Sequence, residues 1–237
     1  MKTTFKSLQQ RAQEFGITLT ETQLVQFERY HHLLIEWNTR ANLTSVTEHA
    51  EVETRHFLES LAISQVVPLQ SLESANVVDV GSGAGFPGVP LAIAFPNSHV
   101  TLVEATAKKT QFLTHLQESL DLKNVSVVTG RAEELAHQSD LRESFDLVLA
   151  RAVAKLAPLA ELTLPFCRIG GSVVLHKGPD VADELASARQ AVETLGGNIS
   201  RTVPMPQLHT TFVVISKERM TPRSYPRRAG IPTKRPL

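Results

Sequence analysis

The stretch Asn76–Pro90, NVVDVGSGAGFPGVP, decides the fold. It opens as a buried β-branched strand ending at Asp79-Val80, then turns through Gly81, Gly83 and Gly85 into a helix. Glycine permits positive φ and lets a ligand approach the backbone closely. The helix start presents free N–H groups and the positive end of its dipole. Pro87 and Pro90 fall in the first turn of that helix, where proline is tolerated. Such a turn can hold a nucleotide or another adenosine-containing cofactor. The alternative is a tight turn that holds nothing.

Downstream, short β-branched runs alternate with amphipathic segments. The runs are HVTLV, VSVVT, FDLVLA, SVVLH, NISRTV and TTFVVIS; the segments include KKTQFLTHLQESL and ADELASARQAVETLG. This alternation predicts a mostly parallel sheet with helices on both faces. The linker PMPQLH between the last two runs is too short for a crossover helix, so those runs pair antiparallel. The fold class is therefore α/β, with a seven-stranded, mostly parallel sheet and an antiparallel last hairpin. That is not the dehydrogenase layout.

Upstream, residues 1–70 read as a helical subdomain. Thr20-x-x-Gln23 resembles a capping box and leads into a helix with Leu24, Phe27, Leu34 and Trp37 near helical spacing. Asn38–Thr47 is polar and reads as a loop. A second helix is predicted over Glu51–Val66, with Phe57, Leu58 and Leu61 facing inward, and Pro68–Asn76 reads as a connector. Residues 71–216 form the Rossmann-like core, and 217–237 a basic tail.

Gly83-x-Gly85-x-x-Gly88 formally matches the dinucleotide fingerprint, but Asp79 argues for a different ligand. A carboxylate directly before the loop repels a pyrophosphate. It can accept hydrogen bonds from loop amides or from an ammonium group, such as the one on S-adenosylmethionine. Glu104 ends the next strand, 19 residues after Gly85. It can accept both ribose hydroxyls, which suits NAD or S-adenosylmethionine. Gly130-Arg131-Ala132-Glu133-Glu134 follows the third strand, where an adenine would lie; a plain helix start favoured by the dipole is the other reading. Arg151 ends the fourth strand and points at the same crevice, or pairs with Asp146 or a nearby acid. No Asp/Asn-Pro-Pro-aromatic motif follows that strand, and no Pro-Cys nucleophile exists. A target needing neither device is already nucleophilic, as guanine N7 is.

The composition is that of an ordinary globular chain, 42% hydrophobic and 20% charged. The single cysteine, Cys167, sits in an apolar run, fits a reducing cytoplasm and reads as a small buried hydrophobe. No apolar run reaches the roughly 18 residues of a membrane span, and the start lacks a signal-peptide core. The nine histidines show no zinc spacing, so no metal is expected. Lys+Arg and Asp+Glu both number 24. The zero is uneven: residues 217–237 carry seven Lys/Arg and one Glu, net +6, against −6 for residues 1–216. Arg223, Tyr225, Arg227, Arg228, Lys234 and Arg235 make this tail a candidate RNA-binding arm, by phosphate contact and stacking. A solvated terminus is the bland reading. Asn42, Thr44, Arg55 and His56 in the helical part, and Lys177 after the fifth strand, are further RNA candidates. Loop and cap chemistry, a core histidine or a solvent-facing lysine would explain them equally.

Several segments together carry a resemblance over almost the whole chain: NLTS (42–45), RHFLESL (55–61), VDVGSGAGFPGVPLAI (78–93), LVEATAKKTQFL (102–113), GRAEE (130–134), RAVAKL (151–156) and YPRRAGIPTKRPL (225–237). The chain resembles the bacterial 16S ribosomal RNA guanine-N7 methyltransferase G family, formerly called glucose-inhibited division protein B. The resemblance implies a class I methyltransferase fold. It implies methyl transfer from S-adenosylmethionine to N7 of guanine 527 in the 530 loop of 16S RNA, within the 30S subunit. By motif position it implies cofactor contacts at Gly81, Phe86, Glu104, Ala105, Thr106, Ala132, Glu133 and Arg151, beside Asp79, Gly83 and Gly85 of the loop. Many members carry Asp-Ser where this chain has Glu59-Ser60 and Glu104-Ala105, so the acid is kept. No catalytic base is assigned. A cytoplasmic monomer is expected. Deleting the tail after Ser216 should spare cofactor binding and reduce RNA methylation. The competing classes are an RNA-binding assembly factor with a vestigial cofactor site, and a nicotinamide oxidoreductase. Asp79, the terminal hairpin and the basic tail argue against the last.

Overall fold

The computed structural model describes residues 5–151 and 154–237. Ala152 and Val153, within the RAVAKL segment, lie outside the described residues. The helical part begins with α1 (Lys6–Glu14) and α2 (Glu21–Ala41). α2 starts at the capping box: the Thr20 hydroxyl accepts from the Gln23 N–H, and the Gln23 carboxamide oxygen accepts from the Thr20 N–H. It ends at Asn42, a left-handed cap with φ +47. The Asn38 carboxamide oxygen accepts from the Leu43 and Thr44 N–H groups at 2.7 and 2.9 Å, so the turn into the following loop is held by one side chain.

The helix predicted over Glu51–Val66 is a composite rod. α3 (His49–Val52) passes into a π turn (Glu53–Leu58), then α4 (Glu59–Leu61) and a 3₁₀ turn (Ala62–Gln65). Phe57, Leu58 and Leu61 are buried as expected. Apolar spacing alone does not reveal a π turn, because the inward residues remain inward while the backbone widens between them. A short α5 (Leu69–Leu72) interrupts the predicted connector.

The rest alternates as β1 (Asn76–Val80), α6 (Gly88–Ala94), β2 (His99–Glu104), α7 (Ala107–Ser119), β3 (Val125–Thr129), α8 (Ala132–Leu135), β4 (Phe145–Arg151), α9 (Leu156–Thr163), β5 (Cys167–Lys177), α10 (Ala182–Thr194), β6 (Gly197–Met205) and β7 (Thr210–Lys217). A last turn of helix, α11 (Ile231–Lys234), lies in the tail. The seven strands order as β3-β2-β1-β4-β5-β7-β6. β7 slots between β5 and β6 and runs antiparallel to both; the other pairings are parallel.

Strand alternation divides the apolar residues between two cores. Val77, Leu147, Leu149, Val174, Phe212 and Val214 face α2, α6, α7 and the helical rod. Val78, Val80, Val148, Ala150, Val173, Leu175 and Val213 face α9 and α10. A strand buried on both faces therefore reads as an unbroken apolar run. Asp79 has the parity of Val77, so its side chain points under α6. Cys167 is a buried free thiol, and burial pushes its pKa up to about 12.

The tail is docked against the core at Lys217 and Arg227. Lys217 is the last residue of β7 and is fully enclosed, with its ammonium 3.0 Å from Glu143 Oε1. The Arg227 guanidinium donates to both oxygens of Glu161, at 2.9 Å from Nε and 2.6 Å from Nη2, and the Arg227 N–H adds a bond of 2.8 Å. Glu161 is 0% exposed. Arg227, expected on RNA, is thus committed to a buried carboxylate. Replacing it with alanine strands that charge, so Arg227→Ala should lower unfolding free energy by about 3 kcal/mol. The double change Arg227→Met/Glu161→Leu should recover part of the loss. Urea denaturation of the three chains measures both effects.

Candidate functional site

A cleft of about 520 Å³ opens at the carboxyl ends of β1, β2, β3 and β4. This is where open α/β sheets place ligands, and the volume suits a nucleoside-sized molecule. Its floor is the glycine loop. The N–H groups of Gly81 and Ser82 bond the Val103 carbonyl at 2.8 and 3.0 Å, and Gly83 N–H bonds Glu104 Oε2 at 3.0 Å. Gly81 and Gly83 have φ of +74 and +59. A Cβ on Gly83 would meet only the Gly81 carbonyl oxygen, at 3.8 Å, so this residue faces open space.

Gly85 behaves differently. It has φ +96, and a Cβ there would lie 2.7 Å from the Tyr30 hydroxyl and 2.8 Å from Val89. Its bareness admits α2, not a ligand, and it is absent from the cleft lining. Asp79 is also away from the lining, fully buried, with Oδ2 accepting from Gly88 N–H at 3.0 Å. Its Oδ1 has no partner. Of the two partners weighed for it, the structure supplies the loop amide. Burial pushes its pKa up to about 7. Thr106 is the cap of α7 and its N–H bonds Glu104 Oε1 at 2.8 Å, so it shapes the Glu104 carboxylate from behind.

The remaining expected cofactor residues meet at the cleft: Gly81, Gly83, Phe86, Glu104, Ala105, Ala132, Glu133 and Arg151. Arg151 pairs with the helical rod, not with Asp146, which is held by Arg168 at 2.6 Å. Its Nη1 donates to the Arg55 carbonyl at 2.9 Å and lies 3.5 Å from Glu59 Oε2; its Nη2 donates to His56 Nδ1 at 2.8 Å. Nδ1 also lies 3.0 Å from the Arg55 carbonyl oxygen, but a guanidinium can only donate, so at 2.8 Å from Arg151 Nδ1 is assigned as the acceptor and Nε2, 2.8 Å from Thr44 Oγ1, as the protonated nitrogen. Burial and the Arg151 charge lower the His56 pKa to about 4. Burial alone would raise the Glu59 pKa, but neighbouring His176 and Arg151 bring it below the usual range. His56 stacks on Phe86 with centroids 4.4 Å apart, and Tyr30 stacks on Phe86 at 5.2 Å.

Of the RNA candidates, Thr44 and His56 line the cleft. Arg55 contributes its backbone carbonyl there, while its exposed side chain lies 3.9 Å from Glu51. Asn42 is the α2 cap, one residue before Leu43 in the lining. Lys177 is paired: its ammonium bonds the carbonyl of Ala154, a lining residue, at 2.9 Å and lies 2.8 Å from Glu184. Arg223, Arg228, Lys234 and Arg235 are exposed, and Tyr225 packs partly into the α9–α10 core. Sequence reading missed Tyr30, Asn38, Glu59 and Lys109. Tyr30 had a signal, since it continues the buried spacing of Leu24 and Phe27 on α2. Among the described residues, no group of three or more His, Cys, Asp or Glu is placed to hold a metal. Nor is any helix there long and apolar enough to cross a membrane.

The family model described as rRNA small subunit methyltransferase G matches residues 23–211. The chain belongs to this family. Curated members from Leuconostoc citreum and Roseiflexus castenholzii, both named ribosomal RNA small subunit methyltransferase G, are 44% and 47% identical to it. The first alignment covers 94% of each chain, the second 95% of this chain and 97% of the relative. Among solved structures, an S-adenosylmethionine-dependent methyltransferase from Aquifex aeolicus superposes with a TM-score of 0.54 at 16% identity, over 71% of this chain and 93% of that one. The fold is thus that of class I methyltransferases, and the family assignment makes the chain an rRNA methyltransferase.

Asp79 and His56 act in opposite directions on this family member's stability. Unfolded aspartate ionises near 3.8, whereas folded Asp79 keeps its proton to about 7, so its contribution falls as pH rises through that window. Unfolded histidine gains a proton near 6.5, whereas folded His56 does so near 4, so its contribution falls as pH drops. Asp79→Asn removes only the first. The stability of the variant relative to the parent should therefore grow from pH 4 to pH 7 and level off above, in denaturant titrations across that range. A difference independent of pH would refute the buried acid.

Proposed function

We propose that this chain transfers the methyl group of S-adenosylmethionine to N7 of guanine 527 in the 530 loop of 16S RNA. The observation that carries the reading is the cleft itself. One wall is Glu104 with the bare backbone of Gly83; the facing wall is the Arg151–His56–Phe86 cluster. The residues fit such a donor. Each Glu104 oxygen accepts one backbone N–H and keeps lone-pair capacity for ribose hydroxyls. Gly83 lets the donor approach the backbone, and Ala132 and Glu133 lie where the adenine would. The donor, when bound, supplies an electrophilic sulfonium methyl.

Guanine N7 carries a free lone pair, so the attack needs no proton removed beforehand. The protein's task is placement. Phe86 and His56 form a stacked wall at the cleft, and Arg151 lies 5.2 Å from the Phe86 centroid as a fixed charge. Neutral His56 adds no second charge beside it. An unpaired guanine laid against this wall is oriented by stacking and by donors, which is the larger part of catalysis when the nucleophile is already competent. The exposed Arg223, Arg228, Lys234 and Arg235 supply phosphate contacts. Asn42 and Arg55 flank the cleft on the helical side. The reading includes the 30S subunit as substrate and a monomer acting in the cytoplasm.

Purified chain should move labelled methyl from S-adenosylmethionine onto 30S subunits from a methylase-deficient strain. Borohydride and aniline cleavage should map the product to guanine 527. Transfer to another nucleotide, or none, would sink the proposal. Arg151→Ala should lower kcat/KM about a hundredfold, because without its bonds to the Arg55 carbonyl, His56 and Glu59 the His56–Phe86 wall is misplaced.

A further inference from the structure

The tail reaches the cleft. Gly230 and Thr233 line the same space as Gly83, Glu104 and Ala132. They arrive there because residues 221–227 are pinned from several sides. The Arg142 guanidinium donates to the carbonyls of Thr221, Tyr225 and Pro222 at 2.8, 3.0 and 3.3 Å. His137 Nε2 lies 2.9 Å from the Pro226 carbonyl oxygen, and Arg227 closes on Glu161. Past this anchor, Gly230 takes φ +79 and its N–H donates to Glu133 Oε1 at 2.9 Å. Glu133 is itself nearly buried, at 9% exposure, in the segment that forms the far wall. One of its oxygens is therefore held by the tail.

We propose that residues 230–233 belong to the methyl-donor site, as a wall that fixes the Glu133 carboxylate and keeps water from that side of the cleft. This rests on the reading that the cleft holds the donor. It departs from the expectation that a tail deletion spares donor binding. A carboxylate fixed before the ligand arrives loses less side-chain freedom on binding, and a wall at the cleft removes ligand surface from water. The same ten-residue end that carries Arg228, Lys234 and Arg235 thereby serves two ligands.

The probe is S-adenosylhomocysteine, titrated by calorimetry into three chains: the intact one, one ending at Arg227, and Gly230→Val. The truncation keeps the Glu161 and Arg142 anchors and removes the wall. The substitution places a β-branched residue at φ +79, where nothing lies within 4 Å of its Cβ, so it disturbs the local backbone alone. The truncated chain should bind about tenfold more weakly, the loss expected when one carboxylate must be ordered on binding and part of the wall contact is gone. Gly230→Val should bind severalfold more weakly. Unchanged affinity in a truncated chain that melts cooperatively overturns the inference and leaves the tail as an RNA arm only. If the truncated chain does not fold, unchanged affinity of Gly230→Val overturns it instead. An intact chain that does not bind the nucleoside overturns the donor reading, and the inference with it.

Discussion

The Arg151 guanidinium ties the helical part of the chain to the sheet, and the geometry of the cleft follows from it. It stands on the last residue of β4 and reaches across to the π turn and α4. Arginine offers donors only, so everything it touches must accept. The Arg55 carbonyl, the His56 ring nitrogen and the Glu59 carboxylate meet that demand. A regular α-helix bonds the carbonyl of residue 55 to the amide four residues on. The π turn rearranges that ladder where a carbonyl, a ring and an acid must converge on one cation. His56 stays neutral because burial and the adjacent Arg151 charge both disfavour its protonated form, and Glu59 offsets them only in part. Its neutral ring then stacks on Phe86, Phe86 stacks on Tyr30, and the Tyr30 hydroxyl donates to the Ala84 carbonyl at 2.6 Å. From β4 the contacts run through the helical rod and back to the glycine loop, so the loop is fixed from both ends.

That loop shows how one motif serves two masters. Gly83 is bare toward the cleft, as a ligand-binding glycine should be. Gly85 and Gly88 are bare toward the protein: a Cβ on Gly88 would lie 2.9 Å from Asp79 Oδ2, and one on Gly85 would meet Tyr30 and Val89. The close approach of α6 to β1 creates the buried pocket in which Asp79 accepts the Gly88 amide. The acid that looked like a ligand contact is in the first place a brace under the helix that follows the loop. Desolvation without a cationic partner in contact explains its raised pKa.

The sheet was legible because strands buried on both faces leave unbroken β-branched runs, and because a short final linker permits only an antiparallel pair. The capping box at Thr20 and the inward residues of the rod were legible for the same local reasons. What escaped was set by geometry between distant segments. The partner of Arg151 was open among nearby acids, since its β-strand direction was readable but the element opposite was not. Lys177 and Arg227 looked alike as free cations, because a buried acid such as Glu161 inside LAPLAELT resembles any helical glutamate until its 0% exposure is seen. Tyr30 keeps the buried spacing of Leu24 and Phe27, but the partner of its hydroxyl, the Ala84 carbonyl, lies 54 residues away and could not be read locally.

Charge distribution is the last point where structure sharpens the arithmetic. The neutral total conceals a tail of net +6, but Lys217 and Arg227 in it are paired with Glu143 and Glu161 of the core. Those two cations pin the tail. They cannot also release counterions from a phosphate backbone without giving up buried partners. The cations left on the surface are held on a segment whose backbone is already ordered by Arg142, His137 and Glu133. An ordered cationic edge loses less entropy on meeting a folded RNA than a free arm would. With two of its cations already paired to core acids, this edge attracts polyanions at long range less than seven free cations would.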